Sequence, residues 1–221
     1  MGAWLLLIEK IGKPGFETIS DPNETVLRLA GELTQSRDFV TAYEIGVGIG
    51  ATSWPLAKCL AENGVLYLFS REEDVKELAA DLRAEGVENV NDDWGSPNRT
   101  FSGYHFELAK GFVSGQLPAL DLAYIDGGHV FHLDAPATCV LKELCSPGGF
   151  LVFDDWNWSL AKSPTFNPSV RDRTRFDYDV GQIEECHVQL VCKVLMDTDS
   201  RFEFFGFEGS TAIYRRIASH G

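Results

Sequence analysis

Residues 40–64 read VTAYEIGVGIGATSWPLAKCLAENG, and this stretch decides the fold. It begins with a short, mostly apolar run that is typical of a buried strand. Three alternate glycines follow, at Gly46, Gly48 and Gly50, and the next residues have the composition of a helix that ends at Asn63. A buried strand, a glycine turn and a helix in this order are how parallel α/β sheets begin.

The same alternation of strands and helices continues on both sides of this stretch. The sequence predicts further strands at 65–69, 120–126, 148–155, 201–207 and 211–217, and helices at 21–36, 72–85, 138–144 and 180–196. The last two strands are close enough along the chain to pair as an antiparallel hairpin. We therefore predict an α/β fold, a Rossmann-like doubly wound sheet that is mostly parallel and ends in an antiparallel C-terminal hairpin strand.

Length and charge limit the domain count and the partners. The 221 residues suit one domain over 1–221, with a short N-terminal helical extension at 1–38. A formal net charge of -14 repels phosphate backbones and anionic lipids, so we expect neither nucleic acid nor a membrane as partner. No targeting or membrane-spanning segment is readable, and the five cysteines include no C-x-x-C pair. A cytoplasmic location with reduced thiols is the resulting expectation.

The glycine turn is a candidate ligand site, because glycines let a ligand approach the backbone and the following helix offers free N–H groups. Gly46, Gly48 and Ala51 satisfy the pattern G-x-G-x-x-A of dinucleotide-binding folds. Glu44, however, lies two residues before the first glycine, and its carboxylate would repel a pyrophosphate. A carboxylate favours a cationic ligand such as S-adenosylmethionine (SAM). An NAD(P)-binding oxidoreductase remains the alternative.

Three aspartates follow two strands that are expected to be neighbours. Asp126 ends one strand, and Asp154 and Asp155 end the next. Parallel strands end at one edge of the sheet, so these carboxylates should lie close together and bind a hard cation such as Mg²⁺. The alternative is solvated acids, with Asp155 as a helix cap. His129 is a candidate base, a pocket-lining residue, or, together with His132, a ligand pair for a transition metal.

Three motifs resemble one family of enzymes. The turn E-x-G-x-G-x-G at 44–50, together with the antiparallel C-terminal hairpin, resembles motif I and the sheet of class I SAM-dependent methyltransferases. The segments YIDGGH (124–129) and SPGGFLVFDDW (146–156) are similar to those of the Mg²⁺-dependent small-molecule O-methyltransferases of the macrocin type, which act on macrolide sugars. The resemblance runs over roughly residues 40 to 217 in the order of the elements.

The resemblance implies transfer of a methyl group from SAM to a hydroxyl of a small metabolite, such as a sugar or a polyketide. It implies that Asp126, Asp154 and Asp155 bind Mg²⁺. The cofactor-binding residues that it implies are Glu44, Gly46, Gly48, Gly50, Ser53, Ser70, Glu72, Gly95, Ser96 and Asp126. A SAM-binding domain without catalytic activity is a further alternative.

Two positions depart from the pattern of this family. Gly128 stands where the macrolide-sugar enzymes carry the acid proposed as their base, so His129 is the predicted base beside Asp126. Ser70 stands where an acid usually binds the ribose hydroxyls, and Glu72 is the nearest substitute.

The acceptor site is expected in the segment after the aspartates. Trp156 and Trp158 offer flat faces for a ring. Arg171, Arg173 and Arg175 alternate in a long irregular stretch and are predicted either to bind an anionic acceptor group or to pair with acids. Specificity is expected from this loop, from the N-terminal segment or from a second subunit of a homo-oligomer.

Overall fold

A single seven-stranded sheet organises the computed structural model, which describes residues 6–97 and 103–217. The strands are β1 (Val40–Ile45), β2 (Gly64–Phe69), β3 (Val90–Asn91), β4 (Leu120–Ile125), β5 (Cys145–Phe153), β6 (Phe202–Glu208) and β7 (Thr211–Arg216). Their order in the sheet is β3-β2-β1-β4-β5-β7-β6. The first five strands are parallel, and β7 runs antiparallel to both β5 and β6. The predicted fold class is confirmed.

Helices cover both faces of the sheet. They are α1 (Glu24–Ser36), α2 (Ser53–Cys59), α3 (Glu72–Ala84), α4 (Tyr104–Val113), α5 (Phe131–Leu144), α6 (Thr174–Asp177), α7 (Val180–Glu184) and α8 (His187–Val191), which continues as a π-helical segment, Cys192–Met196. Buried residues of α1, α2 and α3 form one core cluster, and those of α4, α5 and α8 form another on the opposite face. No helix in the described ranges combines the length and the hydropathy needed to cross a membrane.

The first helix begins two residues after a proline because its N-cap is satisfied. The side chain of Asn23 accepts a hydrogen bond from the backbone N–H of Val26. The inner face of α1 then follows the helical period, with Val26, Leu29 and Ala30 fully buried against the sheet. This packing fixes the N-terminal extension over the carboxyl edge of the sheet.

The helix predicted over 180–196 is wrong as a continuous element. Glu185 is extended, with φ -68° and ψ 144°, so α7 ends before it and a second helix begins at His187. The break is held by His187, whose Nδ1 accepts the backbone N–H of Phe131 at 3.1 Å and whose Nε2 donates to the carbonyl of Gln182 at 2.6 Å. Both pieces keep an apolar face, which is why the periodicity does not reveal the interruption.

The strands that carry the candidate site end in register. Ile45 of β1 lies opposite Ile125 of β4, which lies opposite Phe153 of β5. The ladder extends by one residue, because the N–H of Asp126 donates to Ile45 at 2.9 Å and the N–H of Asp154 donates to Ile125 at 3.1 Å. The acidic segments and the glycine turn therefore meet at one edge of the sheet.

A buried acid ties β1 to β4 at the opposite end of these strands. The carboxylate of Asp121 accepts the backbone N–H of Thr41 at 2.9 Å and pairs with the guanidinium of Arg37. The Asp121 side chain is only 9% exposed, so water cannot replace either partner.

Replacing Asp121 with alanine should lower the free energy of unfolding by about 3 kcal/mol, because it leaves the buried N–H of Thr41 without an acceptor and removes the carboxylate that pairs with Arg37. Urea denaturation followed by circular dichroism measures the change. Asp38→Ala is the control, since Asp38 is exposed in the same segment and its loss should cost no more than about 0.5 kcal/mol. Equal stability of the two variants would contradict this account of Asp121.

Candidate active site

A cavity of about 720 Å³ opens at the carboxyl edge of the sheet. Its walls are the glycine turn, the segments after β4 and β5, the start of α1 and the β6–β7 turn. Seven acidic residues line it: Asp21, Glu24, Glu44, Asp126, Asp154, Asp155 and Glu208. No Lys or Arg is among the described lining residues. Such a wall attracts a cation and repels a pyrophosphate.

The glycine turn forms the floor of this cavity through one close backbone contact. Gly46 has φ +88°, and a Cβ there would lie 2.1 Å from the carbonyl oxygen of Asp126. Gly48 lines the cavity, and a Cβ there would meet nothing within 4 Å. Gly50, in contrast, faces α3, where a Cβ would lie 2.4 Å from Leu78. Only the first two predicted glycines therefore border the cavity.

Glu44 is a buried acid with one unpartnered oxygen at the end of β1. It is 2% exposed, and its Oε2 has no hydrogen-bond partner among the described residues, although Glu44 lines the cavity. Burial raises the pKa of Glu44 to about 8, and the neighbouring Ser53 side chain opposes this rise. Ser53 itself is fully buried and does not border the cavity. A cationic donor would satisfy this carboxylate.

A cluster of two acids and one histidine lies at the far side of the cavity. Asp126, His129 and Asp155 offer ligand atoms that all lie within 4.8 Å of one another. His129 Nε2 is 3.5 Å from Asp126 Oδ1 and 3.6 Å from Asp155 Oδ2. His129 and Asp155 have φ of 52° and 55°, a left-handed conformation that non-glycine residues rarely adopt. Both residues thus have a strained backbone conformation beside Asp126.

The electrostatics of this cluster fit a divalent cation. Burial, and then the charges of Asp154 and Asp155, raise the pKa of Asp126. Burial also raises the pKa of Asp155, while His129 acts in the opposite direction. Carboxylates that lie close together repel one another, and their free lone pairs are the ligands that hard metal ions bind in proteins.

Asp154 has a different environment from the other two aspartates. Its carboxylate accepts hydrogen bonds from Tyr124 Oη at 2.6 Å, Asp155 N at 2.8 Å, Asn23 Nδ2 at 3.1 Å, Thr211 Oγ1 at 3.1 Å and Ser210 Oγ at 3.4 Å. Burial alone would raise the pKa of Asp154, but these bonds hold it below its ordinary value. The structure thus separates the three aspartates: two belong to the 4.8 Å cluster and Asp154 lies outside it.

The partners of Asp154 were not found from the sequence. The hydroxyl of Tyr124 lies 2.6 Å from Asp154 and 3.1 Å from Asp126, so it links the two carboxylates. Tyr124 could have been found, since residues two apart on a strand share a face with each other. Asn23 and Thr211 come from the two ends of the chain, and only the tertiary structure brings them to the site.

The other predicted cofactor residues form a separate group at the end of β2. The N–H of Ser96 donates to Ser70 at 2.9 Å, and the N–H of Glu72 donates to Ser96 at 2.8 Å. A Cβ on Gly95 would lie 2.6 Å from Glu72 Cα, so this segment crosses close over the start of α3. None of the four lines the 720 Å³ cavity, and their role in binding stays a prediction. Residues 98–102, which follow this segment, lie outside the described ranges.

A second cavity, of about 670 Å³, lies on the other side of the cluster. The two cavities share Thr18, Ile19, His129 and Asp155 as lining residues. Trp158 lines the second cavity, with its ring centroid 5.5 Å from that of His129. The acid–histidine cluster is therefore the border between an acidic cavity and a second, partly aromatic one.

His132 also lines the second cavity, but the structure does not bring it into the cluster of possible metal ligands. Trp156 points away from the border and packs against Phe207, with ring centroids 4.7 Å apart. Of the two tryptophans expected near the acceptor, only Trp158 borders the cavity.

The sequence matches a family model that is described as a methyltransferase domain. The match covers residues 43–156, just over half of the 221 residues of the chain. The chain belongs to this methyltransferase family. The matched range of the methyltransferase contains the glycine turn and all three aspartates. A search of curated proteins found no match to the sequence.

Solved structures share the fold of the methyltransferase at low sequence identity. The O-methyltransferase TomG from Streptomyces achromogenes, involved in tomaymycin synthesis and solved with SAM, is 15% identical over 89% of this chain and 81% of its own, with a TM-score of 0.58. An O-methyltransferase from Bacillus cereus, solved with S-adenosylhomocysteine (SAH), is 15% identical over 90% and 83%, with a TM-score of 0.59. The predicted class I methyltransferase fold and the enzyme class are confirmed.

The MycE methyltransferase of the mycinamycin biosynthetic pathway, solved with Mg and SAH, matches this chain over a smaller part of its own length. It is 17% identical over 88% of this chain but only 49% of its own, with a TM-score of 0.54. The similarity to MycE therefore spans about half of the MycE chain.

Glu44 should make the unliganded methyltransferase less stable as the pH rises. Its folded-state pKa of about 8 lies above the ordinary 4.5, so the native state keeps a proton that the unfolded chain releases between these values. Stability is therefore lost over this interval, and Glu44→Gln should escape the loss. The free energy of unfolding of this variant, relative to that of the wild type, should rise by roughly 3 to 5 kcal/mol between about pH 5 and about pH 8.5.

Urea denaturation at both pH values measures this difference. Glu62→Gln is the control, because Glu62 is exposed after α2 and its variant should follow the wild type at each pH. A pH-independent difference between Glu44→Gln and wild type would show that Glu44 does not titrate in this range.

Proposed function

We propose that this methyltransferase transfers the methyl group of SAM to a hydroxyl of a small metabolite, with the help of Mg²⁺. The observation that carries the proposal is the position of the cluster at the border of two cavities. A methyl donor in the acidic cavity and an acceptor in the second would meet at His129 and Asp155. The O-methyltransferases of similar fold that were solved with SAM or SAH support this choice of chemistry.

The acidic cavity is the proposed site of SAM. Glu44 would accept a hydrogen bond from the SAM ammonium, which would satisfy its unpartnered buried oxygen. Gly46 and Gly48 would allow the cofactor to lie against the backbone. The ribose and adenine contacts are proposed at the β2 end, from Ser70, Glu72, Gly95 and Ser96. The seven acids would repel the pyrophosphate of NAD(P), which makes the dehydrogenase alternative the weaker one.

The proposed metal ligands are Asp126, Asp155 and the adjacent Asp154. Their oxygen donors fit Mg²⁺, and the MycE structure of similar fold contains Mg. When bound, the ion supplies positive charge that favours ionisation of a nearby acceptor hydroxyl. The hydrogen bonds on Asp154 would keep its carboxylate ionised and in place beside the other two.

His129 is the proposed base, acting beside Asp126. Its Nε2 faces both carboxylates at 3.5 and 3.6 Å, so the imidazolium formed on accepting the hydroxyl proton would be stabilised at once. The acceptor oxygen then forms a bond to the methyl carbon while the bond from that carbon to sulfur breaks. The electron pair of the broken bond goes to sulfur, which leaves SAH as the second product.

Isothermal titration should show SAM binding with a dissociation constant of tens of micromolar or lower, and no binding of NAD. Glu44→Gln should weaken SAM binding about tenfold or more, since it removes a charged acceptor from the ammonium. Glu62→Gln should bind SAM as the wild type does. Failure of the wild type to bind SAM at tens of micromolar would refute the proposed cofactor, and NAD binding in its place would favour an oxidoreductase.

Removal of the metal should abolish transfer. Asp126→Asn and Asp155→Asn should each weaken binding of Mn²⁺, a spectroscopic substitute for Mg²⁺, by about tenfold or more, because each removes an anionic ligand. Electron paramagnetic resonance measures free Mn²⁺ directly. Asp172→Asn is the control, since Asp172 is exposed and lines neither cavity. Unchanged SAH production in the presence of EDTA would remove the metal from the mechanism.

A further inference from the structure

The second cavity contains one cationic side chain. Arg171 lines it, and among the described lining residues of both cavities it is the single Lys or Arg. Its guanidinium lies 4.9 Å from the ring centroid of Phe166, another residue of the same wall. No carboxylate in the described ranges pairs with it. In a chain with a net charge of -14, an arginine that borders a cavity without an acidic partner is available for a ligand.

The two neighbouring arginines are placed differently. Arg173 Nε lies 3.2 Å from Asp177 Oδ2 in an exposed pair, which fits the predicted salt bridge. Arg175 is exposed and lines neither cavity. Arg171 is fixed by its backbone, whose N–H donates to Asn167 at 2.9 Å and whose carbonyl accepts from Thr174 at 3.0 Å. All three arginines are thus exposed, and Arg171 differs from the other two in lining a cavity.

Flat rings form much of the remaining wall. Trp158, Phe166 and Tyr178 all line the second cavity. The ring of Tyr178 is held between His132 and His187, with centroid distances of 6.1 and 6.3 Å. A planar ring is the ligand shape that such a wall accommodates best.

We propose that the acceptor is a hydroxylated aromatic carboxylate whose carboxylate pairs with Arg171 while its hydroxyl lies at the acid–histidine cluster. This inference rests on the proposed O-methyltransferase function and adds a substrate class to it. A guanidinium binds a carboxylate through two parallel hydrogen bonds. Arg171 is the single Lys or Arg among the described residues of this wall, so it balances the one charge of a carboxylate but not the second charge of a phosphate monoester.

Titration calorimetry in the presence of SAH tests the assignment of Arg171. The probes are protocatechuate and caffeate, which differ in length, and their amides, which have the same shape without the charge. For the wild type, we expect the dissociation constant of each acid that binds to be at least about tenfold lower than that of its amide. Arg171→Ala should abolish this ratio without changing amide binding, and Arg171→Lys should keep part of it. Arg175→Ala should keep all of it.

Two results would overturn the inference: the same ratio of acid to amide affinity in Arg171→Ala as in wild type, or no binding of either acid at millimolar concentration. Production of SAH from SAM, measured with the same compounds, tests the proposed function separately. Binding that depends on Arg171 without methyl transfer would support the carboxylate site and contradict the methyl transfer proposed at the cluster. Methylation of the amides as efficiently as the acids would support that transfer and overturn the role of Arg171.

Discussion

Gly46 brings the turn after β1 into contact with the end of β4, and the geometry of the site depends on that contact. Any Cβ at this position would lie 2.1 Å from the carbonyl oxygen of Asp126, so a side chain would force the two strand ends apart. Because Gly46 has no side chain, β1, β4 and β5 end at one level, and the residues that follow each strand share one edge. The floor of the acidic cavity and the first acid of the cluster are therefore placed by the same backbone contact.

This edge concentrates negative charge, and the protein distributes it among different environments. Asp154 is stabilised as an anion by hydrogen bonds from the start of α1, from β4 and from the β6–β7 turn. Glu44 has no such partners, and burial raises its pKa to about 8. Burial and neighbouring charges also raise the pKa of Asp126, burial raises that of Asp155, and both carboxylates lie near the same imidazole. One edge thus combines an acid held as an anion, an acid held neutral without a ligand, and a pair that is the proposed site of a cation.

The strained residues mark the border between the two cavities. His129 and Asp155 are the two described non-glycine residues with positive φ, and both line each cavity. Strain of this kind is retained where the surrounding structure determines it, and here it directs two functional side chains toward a third. The aromatic wall with Arg171 lies beyond them, so the proposed chemistry and the proposed acceptor site lie on adjacent segments of the chain.

Local pattern was sufficient for most of the sheet and for the acids that follow its strands. Apolar runs followed by glycine or aspartate predict the ends of β1, β4 and β5, because a buried strand and the residue that ends it are adjacent in sequence. The same reasoning did not identify α4, and it joined α7 to α8, since an extended residue between two amphipathic pieces leaves no periodic signal. It also gave the three aspartates one common role, and it did not distinguish among the three alternate arginines.

What the sequence alone determined is therefore the alternation of most strands and helices, the glycine turn and the identity of the acids at the strand ends. What only the tertiary structure decided is the environment of each charge. Asn23 and Thr211 reach Asp154 from opposite ends of the chain, and the turn from Asn167 to Thr174 brings Arg171 to a cavity while Arg173 pairs at the surface. The physical reason is that hydrogen bonding, burial and charge pairing depend on distances in space between residues that are far apart in the chain.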